Sequence, residues 1–309
     1  MNPHERFESY KGNKCWQAHV AEQNLEEDLR AANLSSEQAL NFRTSDFEFS
    51  YVPRDNKEAC GEIKEFIERH EWLGKLPIWA THRFTARLKG SGVLAGTIIM
   101  ATPNSFSNLL GPENKNKEKL ISRGACISWA PKNLGSWIIM QSVKWMVRNT
   151  EFRYFTAYSD PEAKELGTIY QACNFIYLGQ KFGAGNQYLD PGKPDRGWFG
   201  SSGFSDRSQI VRYAKALGIP WEPSWYKFVG SKKNYRKVDW QAIPADVATR
   251  LKQERTEHKN RCLCRPSPSK HKYCYILGRS KQETKLLFKK FAEHNPDKHN
   301  LPYPKVRGK

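Results

Sequence analysis

An aspartate and a tyrosine stand ten residues apart in the segment SDPEAKELGTIYQACNF, residues 159–175. Pro161 follows Asp160, which predicts a helix N-terminus because proline is well accommodated in a first helical turn. Asp160 is therefore either a simple helix cap or a group that orients or deprotonates a substrate. Tyr170 lies on the apolar stripe of the predicted helix at 161–173, so it is either a core residue or a proton donor that faces a ligand.

Two further candidates precede this segment. Arg123 interrupts an otherwise apolar predicted strand, LISRGACISWA at 120–130. A buried guanidinium is costly unless it is paired, so Arg123 is expected to face a cleft and bind an anionic cofactor or substrate. Ser136 ends the loop APKNLGS before a predicted helix, where it either caps the helix or contacts a phosphate at the helix N-terminus.

Two sets of residues offer metal ligands. His70 lies near the end of a predicted helix at 57–74, where it either complements the helix dipole or serves as a base or ligand. Cys262 and Cys264 have other residues of types that can bind zinc near them in the sequence, namely His258, His271 and Cys274. The Cys-x-Cys spacing differs from the Cys-x-x-Cys pair typical of zinc turns, so zinc is not the favoured interpretation.

The charge of the chain is strongly basic and unevenly distributed. The 309 residues carry a formal net charge of +18, and from Lys227 to Lys309 there are 22 Lys and Arg against 7 Asp and Glu. Tyrosine and tryptophan are interspersed with these basic residues. This mixture favours nucleic acid over an acidic protein or a membrane surface, and a solvated basic tail is the alternative. The residues predicted to bind nucleic acid are Lys232, Lys233, Arg236, Lys237, Arg250 and Lys252.

Composition and hydropathy exclude several classes of protein. No window approaches eighteen uninterrupted apolar residues, which argues against a membrane span. The N-terminus is polar and lacks the apolar segment of a signal peptide. Seven cysteines without regular spacing fit reduced thiols better than a disulfide framework, so the expected location is the cytoplasm.

The remaining pattern predicts an α/β (α+β) fold with a mixed central sheet and helices on both faces. The predicted elements are a strand at 46–52, a helix at 57–74, a hairpin of 83–88 and 93–103, a strand at 120–130, a helix at 137–149, a strand at 152–159, a helix at 161–173, a strand at 175–182, a strand at 272–277 and a helix at 280–294. Residues 1–45 are interpreted as an N-terminal extension, 46–183 as the core, 184–270 as an inserted basic subdomain that contacts DNA, and 271–309 as the last strand and basic helix completing the core.

This order of elements resembles the GNAT acyltransferases, whose central sheet is splayed. In that family the pyrophosphate of coenzyme A binds at a helix N-terminus after a strand. The matching loop here runs from Ala130 to Ser136. The resemblance implies an acetyl-CoA or related acyl-CoA cofactor held by Arg123, Lys132, Asn133, Gly135 and Ser136, although the loop departs from the usual Gln/Arg-x-x-Gly-x-Gly/Ala pattern. It also places Tyr170, in IYQACNF, near the cofactor sulfur.

The combination of His70 in HEWLG, Arg123 in LISRG, Ser136 in KNLGS, Asp160 in YSDP and Tyr170 in GTIYQACNF more specifically resembles the phage Mom proteins, a GNAT-like family. That family converts adenine in duplex DNA to an N6-carbamoylmethyl derivative and so defeats host restriction. The resemblance implies a phage-encoded transferase in the bacterial cytoplasm, with Asp160, Tyr170 and Arg123 as catalytic residues. The family's link to iron makes His70 and Asp160 candidate ligands.

Other functions remain open at this point. The expected partners are double-stranded DNA and an acyl-CoA-type donor, with self-association as a homodimer allowed. The first alternative is a conventional N-acetyltransferase that acts on a modified DNA base, RNA, protein or a small amine. The second is a non-catalytic DNA-binding protein on a degenerate GNAT scaffold, which the departure of the 130–136 loop from the family pattern keeps open.

Overall fold

A computed structural model describes residues 7, 10, 12–77, 79–181, 185–228, 236–298 and 301–305. The chain divides into two compact units. The larger unit comprises residues 10–181 and 269–309, and the smaller unit comprises residues 1–9 and 182–268. Within the described residues, no helix is long and apolar enough to cross a membrane.

The larger unit contains most of the helices and strands. Its first part holds α1 (Trp16–Ala31), α2 (Ser36–Asn41), β1 (Phe47–Val52), α3 (Lys57–His70), β2 (Ala80–Leu88), β3 (Leu94–Ala101), β4 (Glu118–Cys126), α4 (Leu134–Asn149), β5 (Tyr154–Ser159), α5 (Thr168–Ala172) and β6 (Ile176–Lys181). The smaller unit holds β7 (Asn186–Leu189), β8 (Phe199–Gly200), α6 (Arg207–Ala216), β9 (Tyr226–Phe228), β10 (Arg236–Val238), α7 (Ala245–Arg261) and β11 (Leu263–Pro266). The chain then returns to the larger unit with β12 (Lys270–Ile276) and α8 (Lys281–His294).

Seven strands of the larger unit form one sheet in the order β1-β2-β3-β4-β5-β12-β6. Every neighbouring pair is antiparallel except β4 and β5, which are parallel. All eight residues of β3 are buried, as expected for a strand near the centre of a covered sheet. The sheet is therefore mixed and mostly antiparallel, and the predicted α/β fold class is confirmed.

Helices cover both faces of the β5–β12 part of the sheet. On β5, Tyr154 packs in a cluster with Leu287 and Phe291 of α8. The next residue, Phe155, belongs to the main core that includes the buried stripe of α4. Because successive strand residues point to opposite faces, α8 and α4 lie on opposite sides of the sheet.

The smaller unit has its own apolar core between α6 and α7. Ile210 and Tyr213 of α6 pack against Leu251 of α7, together with Trp225 and Ile243. Two short sheets accompany these helices, one of β9 and β10 and one of β11, β7 and β8. The sequence predicts two helices in this region but not these short strands, because Gly, Pro and Ser interrupt each apolar run.

The predicted continuous helix at 161–173 is wrong. The structure has a 3₁₀ turn at Pro161–Ala163 and a separate short helix, α5. Lys164 and Gly167 between them both adopt left-handed backbone, with φ of 57° and 69°. A left-handed residue ends a right-handed helix, and glycine adopts this conformation without a steric penalty.

Candidate functional site

The parallel strands β4 and β5 pair over only part of their length. The pairs run from Glu118–Tyr154 to Ile121–Ala157, and β4 continues for five residues beyond the last one. The two strands thus separate towards their carboxyl ends, which is where open sheets containing parallel strands bind ligands. Arg123 lies on the part of β4 that does not pair with β5, and Asp160 directly follows β5.

A buried glutamate that ends α3 lies beside Arg123. Glu71 caps α3, and its carboxylate accepts a hydrogen bond from the Gly74 N–H at 2.9 Å. Arg123 Nε donates to the Lys75 carbonyl at 2.8 Å, which holds the 71–75 turn against β4. Burial raises the pKa of Glu71 to about 7, with the Arg123 charge and two backbone hydrogen bonds opposing the shift. Glu71 therefore titrates near neutral pH.

A second, half-buried glutamate follows the 3₁₀ turn. Glu165 accepts a hydrogen bond from the Asp160 N–H at 3.2 Å. Burial raises the pKa of Glu165 to about 7, and the charges of Glu71 and Asp160 raise it further, while hydrogen bonds from the Asp160 backbone and the Trp72 side chain oppose the shift. Like charges in a shared site disfavour double ionisation, so Glu71 and Glu165 titrate as an interacting pair.

Tyr170 faces this carboxylate pair from α5. Its ring contacts Phe175 and Tyr273, each with centroids 5.4 Å away. Burial strongly raises the pKa of Tyr170, and the charges of Glu165 and Glu71 add to the shift. The phenol is consequently neutral at physiological pH and suited to donate a proton or a hydrogen bond.

Asp160 is engaged on both carboxylate oxygens. Oδ1 accepts from the Glu162 N–H at 3.0 Å and so caps the 3₁₀ turn. Oδ2 pairs with Lys270 Nζ of β12 at 3.1 Å. Through these two contacts Asp160 joins the 3₁₀ turn to β12.

The loop at 130–136 leads into the N-terminus of α4. Lys132 and Asn133 are exposed, and Ser136 Oγ donates to the Asn133 carbonyl at 3.1 Å. Gly135 packs so closely on α5 that a Cβ there would lie 2.8 Å from Ile169 Cδ1. The N-terminus of a sixteen-residue helix favours an anion, so this loop fits a phosphate-bearing cofactor.

Arg83 is a second cation, in line with Arg123 across strands β2, β3 and β4. Ile99 of β3 pairs with Arg83 of β2 on one side and with Arg123 on the other. Residues directly opposite each other in antiparallel pairs share a face of the sheet. Arg83 Nε and Nη1 are buried and have no hydrogen-bond partner in the described part of the chain. An anionic ligand group would compensate this buried charge.

His70 contacts residues of α1 and α3. His70 Nδ1 lies 3.5 Å from Asp28 Oδ2 of α1, and its ring packs on Phe66. Burial lowers the pKa of His70. Over the described ranges, the one group of three or more candidate metal ligands is Asp190, His258 and Cys262. Neither His70 nor Asp160 belongs to this group, and an iron site formed by these two residues stays a prediction.

Three of the six residues predicted to bind nucleic acid have described side chains. Lys237, Arg250 and Lys252 are exposed in the smaller unit. Arg250 Nη2 donates to the Leu217 carbonyl at 3.3 Å, and Lys252 Nζ lies 5.6 Å from the Trp240 ring centroid. Lys232 and Lys233 lie outside the described residues, as does the side chain of Arg236.

Sequence reasoning identified Asp160 but missed two glutamates and a lysine of this site. Glu71, Glu165 and Lys270 look like ordinary charged residues of a helix end, a loop and a basic C-terminal region. One signal was available, since Glu165 lies between Asp160 and Tyr170 in a segment that two left-handed residues fold back on itself. The contribution of Glu71 depends on a tertiary contact with Arg123, which a single sequence does not reveal.

Residues 59–190 match the family model described as the Mom protein family. The matched region runs from α3 to the end of β7 and its following residue, and it contains Glu71, Arg123, Asp160, Glu165 and Tyr170. The resemblance to Mom proteins is thus confirmed for this part of the chain. A search of curated proteins finds no match.

Similar solved structures are acetyltransferases by their descriptions. The ribosomal-protein-S5-alanine acetyltransferase of Vibrio fischeri is 14% identical over 33% of this chain, which spans about half (51%) of that protein, with a TM-score of 0.26. Arabidopsis thaliana NAA60 in complex with acetyl-CoA is 14% identical over 46% of this chain and 90% of its own, with a TM-score of 0.33. A Bacillus subtilis acetyltransferase in complex with CoA is 8% identical over 75% of this chain and 99% of its own, also with a TM-score of 0.33.

Proposed function

We propose, on the premise of the Mom-family match over residues 59–190, that this chain is a GNAT-like transferase that modifies the N6 amine of adenine in duplex DNA. The product would be a carbamoylmethyl-type base that protects phage DNA from host restriction. One observation carries the proposal: the matched region contains two glutamates, one buried and one half-buried, whose pKa values are raised to about 7, next to a neutral tyrosine and an arginine. Carboxylates with raised pKa values in a cleft are typical of acid–base catalysis.

The cofactor of this reaction would be an acyl-CoA-type donor, which supplies an activated acyl group. Direct transfer of that group to N6 forms an amide, so the methylene-linked carbamoylmethyl group requires a conversion beyond simple acyl transfer. The exposed loop at 130–136 and the N-terminus of α4 would bind its pyrophosphate, with Lys132 and Ser136 as side-chain contacts. Arg123, and Arg83 on the same row of the sheet, would pair with anionic groups of the donor or of the DNA.

The carboxylate pair would serve as the general base. The N6 lone pair of adenine is delocalised into the ring, so the amine attacks well only when a base accepts its proton. As the new N6–carbon bond forms, the N6–H bond breaks and Glu165 or Glu71 accepts the proton. Tyr170, as a neutral phenol, would supply a proton to the group that leaves the donor when N6 takes its new substituent. Asp160 would hold the 160–167 segment through its cap and its pair with Lys270.

The target base must leave the duplex before this chemistry can occur. Adenine N6 is stacked and paired in DNA, so the enzyme must extrude the nucleotide into its site. Basic residues that contact phosphates set the register of the protein on the duplex. Lys237, Arg250 and Lys252, together with Lys232, Lys233 and Arg236, would supply such contacts.

Nucleoside mass spectrometry on DNA from bacteria that express the protein tests the proposal. We expect a mass-shifted deoxyadenosine with the wild-type chain, none with the double variant Glu71→Gln/Glu165→Gln, and the wild-type level with Glu162→Gln. Glu162 is exposed and lies three residues before Glu165, so it is a matched control. The mass difference identifies the transferred group.

Other results would support the alternative functions. Unmodified DNA together with tight acetyl-CoA binding and acetylation of RNA, protein or amines would establish a conventional acetyltransferase. Unmodified DNA together with salt-dependent DNA binding that Tyr170→Phe leaves unchanged would indicate a DNA-binding protein without catalysis.

A further inference from the structure

Three different metal-ligand side chains meet in the smaller unit, separate from the carboxylate pair. Asp190 follows β7, His258 lies in the last turn of α7, and Cys262 directly follows α7. One ligand atom of each lies within 4.8 Å of the other two. His258 and Cys262 are four residues apart at the end of a helix, a spacing that places side chains next to each other.

The histidine of this group is held in a fixed orientation. His258 is buried, and its Nε2 lies 3.0 Å from Asp190 Oδ2. Its other nitrogen, Nδ1, lies 2.7 Å from the Tyr213 hydroxyl of α6. Asp190 is itself fixed, since Oδ1 accepts from the Gly192 N–H at 2.9 Å. Histidines that bind metal through one nitrogen usually hydrogen-bond through the other, as Nδ1 does here.

We propose that Asp190, His258 and Cys262 form a zinc site in the smaller unit, with Asp190 Oδ2, His258 Nε2 and Cys262 Sγ as its three protein ligands. This set mixes oxygen, nitrogen and sulfur, and Zn²⁺ accepts all three donor types. Hard cations such as Mg²⁺ and Ca²⁺ prefer oxygen alone, and a thiolate disfavours them.

The geometry needs only small side-chain movements to accept the ion. Zinc bonds of roughly 2.0–2.3 Å in a tetrahedron place ligand atoms about 3.3–3.6 Å apart. The His258–Asp190 separation of 3.0 Å must therefore widen slightly, and the thiol must approach from within the 4.8 Å limit. Zinc would be bound by the His258 tautomer that carries its proton on Nδ1, and this Nδ1–H would donate to the Tyr213 oxygen.

The thiol is the ligand whose protonation state must change. Burial and the Asp190 charge raise the pKa of Cys262, while the charges of Arg261 and Arg196 oppose the shift. A thiol binds Zn²⁺ as the thiolate, so its proton must leave. Zinc would replace that proton, so binding should tighten as pH rises.

Metal titration of the whole chain tests this site. Chelator competition should show one high-affinity Zn²⁺ per chain, with affinity at least 100-fold lower in Cys262→Ala. Cys264→Ala should bind as tightly as the wild type, because Cys264 is exposed and belongs to no ligand group in the described structure. Tyr213→Phe should bind about 10-fold more weakly, since it removes the partner of Nδ1. Co²⁺ should give a thiolate-to-metal charge-transfer band that Cys262→Ala lacks.

Two results would overturn the proposal. One is equal zinc affinity of the wild type and Cys262→Ala, which would leave Asp190 and His258 as an ordinary ion pair. The other is an equal loss of affinity in Cys264→Ala, which would indicate nonspecific binding to thiols. Far-UV circular dichroism confirms that each variant is folded, and Asp190→Asn gives an independent test if Cys262→Ala fails to fold.

Discussion

Glu71 and Glu165 are neutral in much of the pH range in which unfolded glutamates are ionised. Their pKa values of about 7 lie above the ordinary value of 4.5. Between these values the folded chain binds more protons than the unfolded chain, so stability is lost as pH rises through about 7. Each shift corresponds to at most on the order of 3 kcal/mol. The larger unit is therefore less stable at neutral pH than it would be without these two glutamates, which lie near the point where β4 and β5 separate.

Glu165→Gln should make the protein more stable at high pH. At pH 5 both side chains are neutral, so the variant and the wild type should have similar free energies of unfolding. At pH 8 the variant should be more stable by about 1–3 kcal/mol, because it no longer buries a negative charge. Urea denaturation at both pH values measures the difference, and an equal effect of the substitution at both would contradict the assigned pKa.

The rate of DNA modification should rise with pH through about 7. The base must be ionised to accept a proton, and Tyr170 adds no descending limb near neutrality because burial keeps it protonated. Substituting the catalytic carboxylate by Gln should abolish turnover. Substituting the other should move the ascending limb to lower pH, because like-charge repulsion is removed. Single-turnover kinetics from pH 5.5 to 8.5 distinguishes the two, and a flat wild-type profile would exclude both as the base.

The types of several site residues were readable from the sequence, while their partners were not. Arg123 stood out because it interrupts an apolar strand, and Asp160 because a proline follows it. The engagement of Asp160 with Lys270 depends on β12 lying next to β5, and these strands are far apart in the sequence. Tertiary pairing of this kind decides which carboxylate of the site has a cationic partner.

The segment from Asp160 to Gly167 is the element that positions Tyr170. Gly167 begins α5 with φ of +69°, and a Cβ there would lie 2.5 Å from the buried ring of Tyr273. The Tyr273 hydroxyl in turn donates to the Leu166 carbonyl. The periodic apolar residues of this segment favoured one helix, but the glycine and the close ring contact impose a sharp turn instead.

Gly167→Ala should destabilise the larger unit by about 2–4 kcal/mol and reduce activity. The substitution combines left-handed strain of about 1 kcal/mol with a clash against a fully buried ring. Gly90→Ala is the matched control, because Gly90 also has positive φ, at 82°, but has nothing within 4 Å of its Cβ position. It should cost only about 1 kcal/mol. Equal losses for both variants in thermal unfolding would show that Tyr273 does not constrain the turn.

At the scale of the whole molecule, the basic charge should act through phosphate contacts. Replacing both Arg250 and Lys252 by alanine should reduce the slope of log affinity against log salt concentration by about 2, nearly independently of DNA sequence. Lys144→Ala is a suitable control, since Lys144 is exposed on α4 of the larger unit. Fluorescence anisotropy with labelled duplexes at several salt concentrations measures the slopes. An unchanged slope in the double variant would place DNA binding elsewhere.

The order of the main strands and helices was predictable because each has a clear period of apolar residues. The α4 stripe of Ile139, Val143, Met146 and Val147 is a direct case, and all four residues are buried. The position of β12 between β5 and β6 was not predictable in the same way. Its sequence shows that it is a strand but contains nothing that selects its neighbours.

That position of β12 has a consequence for the timing of synthesis on the ribosome. β6 pairs with β12, and residues 182–269 are translated between them. At about 5–20 residues per second this delay lasts roughly 4–18 s. During that time β5 and β6 each have an edge that is not yet paired with β12. Lys270, the partner of Asp160, begins that late strand. A nascent chain would therefore form the Asp160–Lys270 pair only after β12 has been translated, and chains interrupted before that point would lack it.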